Sequence, residues 1–176
     1  PDMEVRLPLY IGASEGNMAL GAAVLSETSM PVGGESTNCV ISGHRGYGGS
    51  PYFRNIENMS EGSLVYLTNP WGTMVYRCVG VKVIEPTDFS SCLIWKGRDM
   101  ITLLTCHPYM SHGRFRYLVY CERDMEVESR LGNDLETEGM SETVYETDNL
   151  LREDTNGTES TLSMLYLKDR GISTGD

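Results

Sequence analysis

Short apolar or alternating runs, separated by glycine and proline, fill the first 121 residues of the chain. Runs of about four to eight residues that are bounded in this way favour strands over helices. The clearest strands are predicted at residues 4–11, 38–42, 101–106 and 115–121.

A hairpin is predicted in the middle of the chain. Residues 63–68 and 73–84 are strand-like, and Asn69-Pro70-Trp71-Gly72 between them is a turn sequence. In the second arm, valines recur at every second position, so we expect them to share one face of the strand. These valines are Val75, Val79, Val81 and Val83.

Helices are few in the same region. Ser14 is a suitable N-cap for a short helix that ends by residue 23. Residues 52–59 predict a second short helix, with Phe53 and Ile56 facing inward. Many short strands without regular alternation of strand and helix predict an all-β fold, either a barrel or a sandwich.

The last third of the chain differs in charge. Residues 1–121 carry 9 basic and 10 acidic residues, whereas residues 122–176 carry 5 and 15. We therefore predict one folded domain over residues 1–123 and an acidic extension over residues 124–176. Residues 141–152 suit a helix, and residues 161–168 a helix or a strand. With a net charge of −11 and no basic patch, a nucleic-acid partner is not expected.

Five cysteines are present, which is an odd number, and no two have CxxC spacing. A structural zinc site is therefore not expected. Cys39, Cys78 and Cys121 lie in strand-like runs and are predicted to be small buried hydrophobic residues. Cys92 has no assigned role, which leaves Cys106 as the cysteine with a chemical context.

Three segments carry the side chains of an acyl-transfer site. Cys106 ends an apolar run and precedes a turn, so its thiol is held rigidly and can face solvent. His44 and Arg116 lie at the edges of two other strand-like segments, and Arg114 lies two residues before Arg116. A thiol of ordinary pKa is mostly protonated at pH 7, so such a nucleophile needs a proton acceptor and a nearby positive charge.

These segments resemble those of the sortases, the cysteine transpeptidases of Gram-positive cell surfaces. Thr102-Leu103-Leu104-Thr105-Cys106 matches the TLxTC box of that family, and Ser42-Gly43-His44-Arg45-Gly46 matches its catalytic-histidine segment. Other stretches resemble the pilus-building class C branch: Leu7-Pro8-Leu9-Tyr10, Met30-Pro31-Val32-Gly33-Gly34, Val83-Ile84-Glu85-Pro86-Thr87-Asp88 and Thr105-Cys106-His107-Pro108-Tyr109-Met110. The resemblance covers residues 3–123.

The resemblance implies a closed eight-stranded β-barrel with a few short helices, in which the Cys strand and the Arg strand are neighbours. It implies His44, Cys106 and Arg116 as catalytic residues, with Arg114 as the alternative to Arg116. His107 departs from the family, where a small hydroxyl residue is usual, and it either tunes Cys106 or only lines the loop.

The implied reaction begins when Cys106 attacks the Thr carbonyl of a Leu-Pro-x-Thr-Gly sorting signal. The thioester is then resolved by an amine, which is a pilin lysine in class C relatives and a cell-wall peptide in anchoring relatives. Both acceptors stay open, and a non-catalytic surface β-barrel is a third alternative. A cysteine hydrolase, in which water takes the place of the amine, is a fourth.

The family resemblance also implies a location, and the sequence argues against a cofactor. Sortases are anchored to the extracellular face of the membrane, and no run of 18 apolar residues in this chain supplies a span. We expect no cofactor and no metal, because residues 1–121 lack the clustered carboxylates that calcium-binding sortases need.

Overall fold

A computed structural model describes residues 5–111, 113–137 and 163–168, and these residues form a mostly-β fold. The mostly-β prediction is confirmed. The strands are β1 (Val5–Ile11), β2 (Ala22–Val24), β3 (Thr37–Ser42), β4 (Leu64–Asn69), β5 (Gly72–Ile84), β6 (Asp99–His107), β7 (Phe115–Arg123) and β8 (Ser163–Lys168). The helices are α1 (Glu15–Leu20), α2 (Met125–Thr137) and two short 3-10 helices, Ile56–Asn58 and Phe89–Cys92.

The strands follow one another around a closed sheet in the order β1-β2-β3-β6-β7-β5-β4-β8. β3 and β6 are parallel, whereas β6 and β7 are antiparallel neighbours. β8 pairs with both β1 and β4, so it joins the two strands that would otherwise be edges. Residues 163–168 therefore form a strand, one of the two forms predicted for residues 161–168, and the predicted domain boundary at residue 123 stays a prediction. The helix predicted at residues 141–152 lies outside the described residues.

The main hydrophobic core fills the inside of this sheet. Its fully buried members come from almost every strand, which explains why the short apolar runs are spread along the whole chain. They include Leu9, Ile41, Leu67, Tyr76, Ile101, Leu103, Val119 and Leu165. Phe53 and Ile56 complete one end of the core and are fully buried, as predicted.

Two predicted helices are shorter than expected. α1 begins after Ser14, whose hydroxyl accepts from the amide of Asn17 at 3.2 Å, but the helix ends at Leu20. Gly21 then lies so close to Pro8 that a Cβ would be 2.3 Å from the Pro8 carbonyl oxygen, which allows β2 to pair with β1. In residues 52–59, Tyr52 has φ +42°, outside the right-handed helical region, and the following residues form turns and one 3-10 helix.

The prediction for the valines of β5 is wrong. Cys78 pairs with Cys121 and Gly80 pairs with Tyr120, so β5 carries one extra residue, a β-bulge, between them. The bulge exchanges the two faces of the strand. Val75 consequently faces the opposite way from Val81 and Val83, and it is buried where α2 packs against β5.

α2 begins at the end of β7 and was not predicted. Asp124 forms its N-cap, because its side chain accepts from the amide of Val127 at 3.0 Å. None of the helices within the described residues has the length and apolar character to cross a membrane.

Candidate active site

Cys106 and Arg116 are directly opposite each other on β6 and β7. Both side chains reach the loop that joins these strands. A Cβ placed on Gly113 would be 2.9 Å from Nη1 of Arg116 and 3.3 Å from Sγ of Cys106. The thiol and the guanidinium therefore border one small space, which a side chain at residue 113 would fill.

Within the described residues, the Arg116 guanidinium is bound only to backbone carbonyls. Its Nη1 donates to the carbonyls of Gly113 at 2.7 Å and Phe115 at 3.1 Å. Among the described residues, no carboxylate lies within ion-pair distance of Arg116. Its positive charge is thus not neutralised by the described part of the protein. Arg114 lies before the start of β7, is exposed, and has its guanidinium 5.5 Å from the ring centroid of Phe115.

His44 is held beside the nucleophile strand by its two neighbours in the chain. Thr105 donates its hydroxyl to the carbonyl of Gly43 at 2.6 Å, and Arg45 donates from Nη1 to the carbonyl of Cys106 at 3.2 Å. Gly43 has no room for a side chain, because a Cβ would lie 2.7 Å from the ring of Phe53. The loop after β3 is therefore fixed in register with the end of β6.

The imidazole of His44 packs between two tyrosines. It is stacked on Tyr47 with 4.7 Å between ring centroids, and it meets Tyr52 edge-on at 6.3 Å. Tyr52 is anchored in turn, since its hydroxyl donates to the carbonyl of Ala19 at 2.8 Å. Aromatic packing, rather than an ion pair to any described carboxylate, orients this imidazole.

All three predicted residues thus lie where the ends of β3, β6 and β7 meet. A family model described as a sortase domain matches residues 1–124, which is more than half of the chain. The chain belongs to the sortase family. Sortases are cysteine transpeptidases, and the assignment of catalytic roles to His44, Cys106 and Arg116 of this sortase stays a prediction.

Solved sortase structures are similar in fold and sequence. The Pilus Island 1 sortase C2 of Group B Streptococcus is 42% identical with a TM-score of 0.66, and the match covers 68% of each chain. A sortase C of Streptococcus pneumoniae is 39% identical with a TM-score of 0.65 over 67% of this chain and 60% of the other. Sortase A of Streptococcus agalactiae is 27% identical over 110 residues, 60% of this chain. That match spans only 44% of the length of the curated protein.

The remaining cysteines of this sortase are less suited to attack a substrate. Cys39, Cys78 and Cys121 are buried, as predicted, and burial raises the pKa of Cys39 to about 12 and that of Cys121 well above its usual value. A hydrogen bond with Cys121 lowers the pKa of Cys78, but that thiol is buried away from any substrate. Cys92 is partly exposed, but burial raises its pKa too. Cys106 is partly exposed and lies beside an unneutralised arginine.

An apolar cluster lies beside the thiol on the outer face of the sheet. Leu104 and Leu118 lie two residues from Cys106 and Arg116 on the same strands, so they share a face with them. Leu118 belongs to a second hydrophobic cluster together with Ile84, the partner of Arg116 on β5, and Leu104 packs against that cluster. Leu118 and Ile84 are buried, so of these three residues Leu104 alone, which is partly exposed, can contact a peptide that reaches Cys106.

Sequence reasoning missed a charged cluster behind the nucleophile. Arg45 is almost fully buried and forms an ion pair with Glu57 at 2.5 Å, while Glu57 also lies 3.0 Å from Nδ1 of His107. A buried arginine requires a partner, but only the fold brings Glu57 beside it. In the described part of the chain, no three His, Cys, Asp or Glu side chains are arranged to hold a metal ion.

Proposed function

We propose that this sortase cleaves a Leu-Pro-x-Thr-Gly sorting signal between Thr and Gly and transfers the acyl group to an amine through a thioester on Cys106. The observation that carries the proposal is the meeting of the Cys106 thiol and the Arg116 guanidinium at Gly113, beside the loop that holds His44.

The first half-reaction uses all three side chains. The Cys106 thiolate attacks the Thr carbonyl carbon, and the carbonyl oxygen takes up the negative charge in the tetrahedral intermediate. Arg116 stabilises that oxyanion, because its guanidinium has no carboxylate partner among the described residues. When the C–N bond breaks, His44 gives a proton to the leaving Gly amine, and the thioester remains.

The second half-reaction reverses the roles. An acceptor amine loses a proton to His44 and attacks the thioester carbonyl, and Arg116 again binds the oxyanion. The C–S bond then breaks, the thiolate returns to Cys106, and an amide links donor and acceptor. Arg116 fits this role better than Arg114, since Arg116 is the direct partner of Cys106 and Arg114 is exposed outside the strand.

We propose a pilin lysine as the acceptor amine. The solved sortases with pilus-related names are up to 42% identical to this chain, whereas the curated Sortase A proteins are 27% and 28% identical. Anchoring of a surface protein to a cell-wall peptide is the second candidate, because those Sortase A proteins are also related to this chain. In both cases the protein acts at the extracellular face of the membrane to which it is anchored, and it needs no metal or other cofactor.

The acyl-transfer proposal predicts a covalent product that can be isolated. A fluorescent Leu-Pro-x-Thr-Gly peptide, mixed with a lysine-bearing pilin subunit and a wall peptide in equal amounts, should become linked to the pilin lysine. Linkage to the wall peptide alone would exchange the two acceptors. Loss of the C-terminal Gly with only free acid as product would instead indicate a hydrolase, and no cleavage at all would support a non-catalytic barrel.

The catalytic unit is proposed to include β8. The closed eight-stranded barrel implied by the family resemblance would be formed by residues 5–123 together with residues 163–168, and the acidic extension over residues 124–176 would supply that last strand. The pairing of β8 with β1 and β4 supports this arrangement.

A further inference from the structure

Arg45 connects the two predicted catalytic segments. It is the residue after His44 in the chain, and its guanidinium donates from Nη1 to the carbonyl of Cys106 at 3.2 Å. Nε donates to the carbonyl of Arg54 at 3.1 Å, and Nη2 pairs with Glu57 at 2.5 Å. Its side chain is only 5% exposed. A buried guanidinium that is held by several partners is itself fixed in place, so it can fix the position of a group to which it donates. One such group is the backbone carbonyl of Cys106, the predicted nucleophile.

Nη1 of Arg45 has a second partner. Nδ1 of His107 lies 3.2 Å from it, the same distance as the Cys106 carbonyl oxygen. One Nη1 therefore serves the carbonyl of Cys106 and the imidazole of the next residue.

His107 cannot satisfy both of its contacts with one protonation state. A guanidinium only donates, so a hydrogen bond from Arg45 requires Nδ1 without a proton. An ionised carboxylate only accepts, so a hydrogen bond to Glu57, whose oxygen lies 3.0 Å away, requires a proton on Nδ1. Among the described residues, Tyr117 of β7 is a further ionisable side chain that faces His107, at 5.5 Å between ring centroids. Burial, reinforced by the Glu57 carboxylate, raises the pKa of Tyr117, so its phenol stays neutral.

We propose that Arg45 is a positioning residue for the nucleophile, and that a proton on Nδ1 of His107 controls how strongly Arg45 holds the Cys106 carbonyl. Without this proton, Arg45 divides Nη1 between His107 and Cys106. With it, His107 binds Glu57 and Nη1 is left to the Cys106 carbonyl. The catalytic part of this inference rests on the proposed function, whereas the hydrogen-bonding part does not.

The hydrogen-bonding part can be tested without substrate. Cys106-His107 is the only Cys-His pair in the chain, so protein labelled with carbonyl-13C cysteine and 15N histidine gives one signal for the Cys106 carbonyl. We expect its 13C shift to change with pH in step with the His107 imidazole. The same response should persist in His44→Ala and disappear in Arg45→Lys and in His107→Thr, the latter labelled with 15N threonine.

Two results would overturn the proposal. One is a Cys106 carbonyl 13C shift that does not change when the His107 imidazole changes its protonation, and the other is an equally large change with pH in Arg45→Lys. Because Arg45 is buried, Arg45→Lys is checked first by its melting temperature. If that variant does not fold, Glu57→Gln replaces it. Glu57→Gln removes the anionic acceptor, so the response must shrink, and an unchanged amplitude would count against the proposal.

The catalytic part of the inference is tested by enzyme kinetics. We expect Arg45→Lys to lower kcat for thioester formation about tenfold with KM changed less than about twofold, because a displaced nucleophile slows the chemical step more than binding. Arg98→Lys is the matched control. Arg98 also forms an ion pair, with 2.5 Å between its Nη2 and Oε2 of Glu122, but this pair does not contact Cys106. An equal loss in the two variants would remove the positioning role. If the wild-type protein forms no thioester but the carbonyl response is present, the proposed function fails and the hydrogen-bonding inference stands.

Discussion

β7 carries one arginine near each end, and the two arginines have different hydrogen-bond partners. Arg116 lies beside Cys106, while Arg123 lies seven residues further, about 23 Å along the strand. Arg123 donates to both oxygens of Glu128 at 2.6 and 2.7 Å and to Asp99 at 3.3 Å. Arg116, by contrast, donates only to backbone carbonyls in the described part of the chain.

The electrostatics of the two ends differ accordingly. The hydrogen bonds to Glu128 raise the pKa of Arg123, and the cluster joins β7 to β6 and α2. An arginine whose charge is already neutralised has little to offer a substrate. An arginine without a carboxylate keeps its charge for an oxyanion, at the expense of contributing little to stability. The ion-paired arginine and the predicted catalytic arginine thus lie at opposite ends of the same strand.

The largest expected effect is at the end of β3. Replacement of His44 by Ala should slow thioester formation about 10²–10⁴-fold, because the leaving amine loses its proton donor. The melting temperature should change little, since the imidazole is partly exposed. Stopped-flow acylation and a thermal melt of the same sample measure these two quantities. A near wild-type acylation rate in His44→Ala would contradict the assignment of catalysis to the Arg116 end of β7.

Replacing each of the two arginines in turn by Gln sharpens the comparison between the two ends of β7. Arg116→Gln should lower acylation about 10²–10³-fold with an unchanged melt. Arg123→Gln should keep the acylation rate but lose about 3 kcal/mol of unfolding free energy, because it leaves Glu128 and Asp99 without their partner. Arg114→Gln is the control at the site end, and a larger loss of acylation there than in Arg116→Gln would assign the oxyanion to Arg114. Acylation kinetics and chemical denaturation distinguish these outcomes.

A third prediction concerns the strand that closes the sheet. Leu165 of β8 is fully buried in the main core. Leu165→Ala should therefore cost about 2–5 kcal/mol of unfolding free energy. Urea denaturation measures this loss, with Leu67→Ala in the neighbouring strand as the matched control. A loss below about 0.5 kcal/mol in Leu165→Ala alone would show that β8 does not complete the core.

A smaller effect is expected from pH. Burial raises the pKa of Glu128, but hydrogen bonds from Arg123 and the amide of Val75 outweigh it and hold the pKa below its usual value. A carboxyl group of this kind stabilises the fold above its unfolded pKa of about 4.3, and that stabilisation is lost as the pH falls through the lower folded value. The melting temperature should thus fall below about pH 4, and the fall should be smaller in Glu128→Gln. An identical fall in Glu128→Gln would remove this role.

The sequence was sufficient to predict this candidate site because its residues lie at strand ends. The apolar run before Cys106 and the alternation after Arg116 both predict strands, and antiparallel neighbours then bring the two together. His44 was found through its loop sequence. The match to a known family supplied the pairing of these strands, which periodicity alone does not contain.

Other features depend on contacts that no local pattern encodes. The bulge at Val79 reverses the faces of β5 without interrupting its alternation, so the valines were assigned to one face. β2 is only three residues long and comes directly after a helix. The Arg45–Glu57 pair joins a loop to a 3-10 helix, and the sequence shows neither its burial nor its distance.

The proposed chemistry depends most directly on acylation at Cys106. Intact-mass analysis after mixing the protein with a Leu-Pro-x-Thr-Gly peptide should show an added mass equal to that of the peptide fragment ending at Thr, less one water. The adduct should be absent in Cys106→Ala and greatly slowed in Arg116→Gln. A wild-type protein that stays unmodified, or an adduct that also forms in Cys106→Ala, would contradict it.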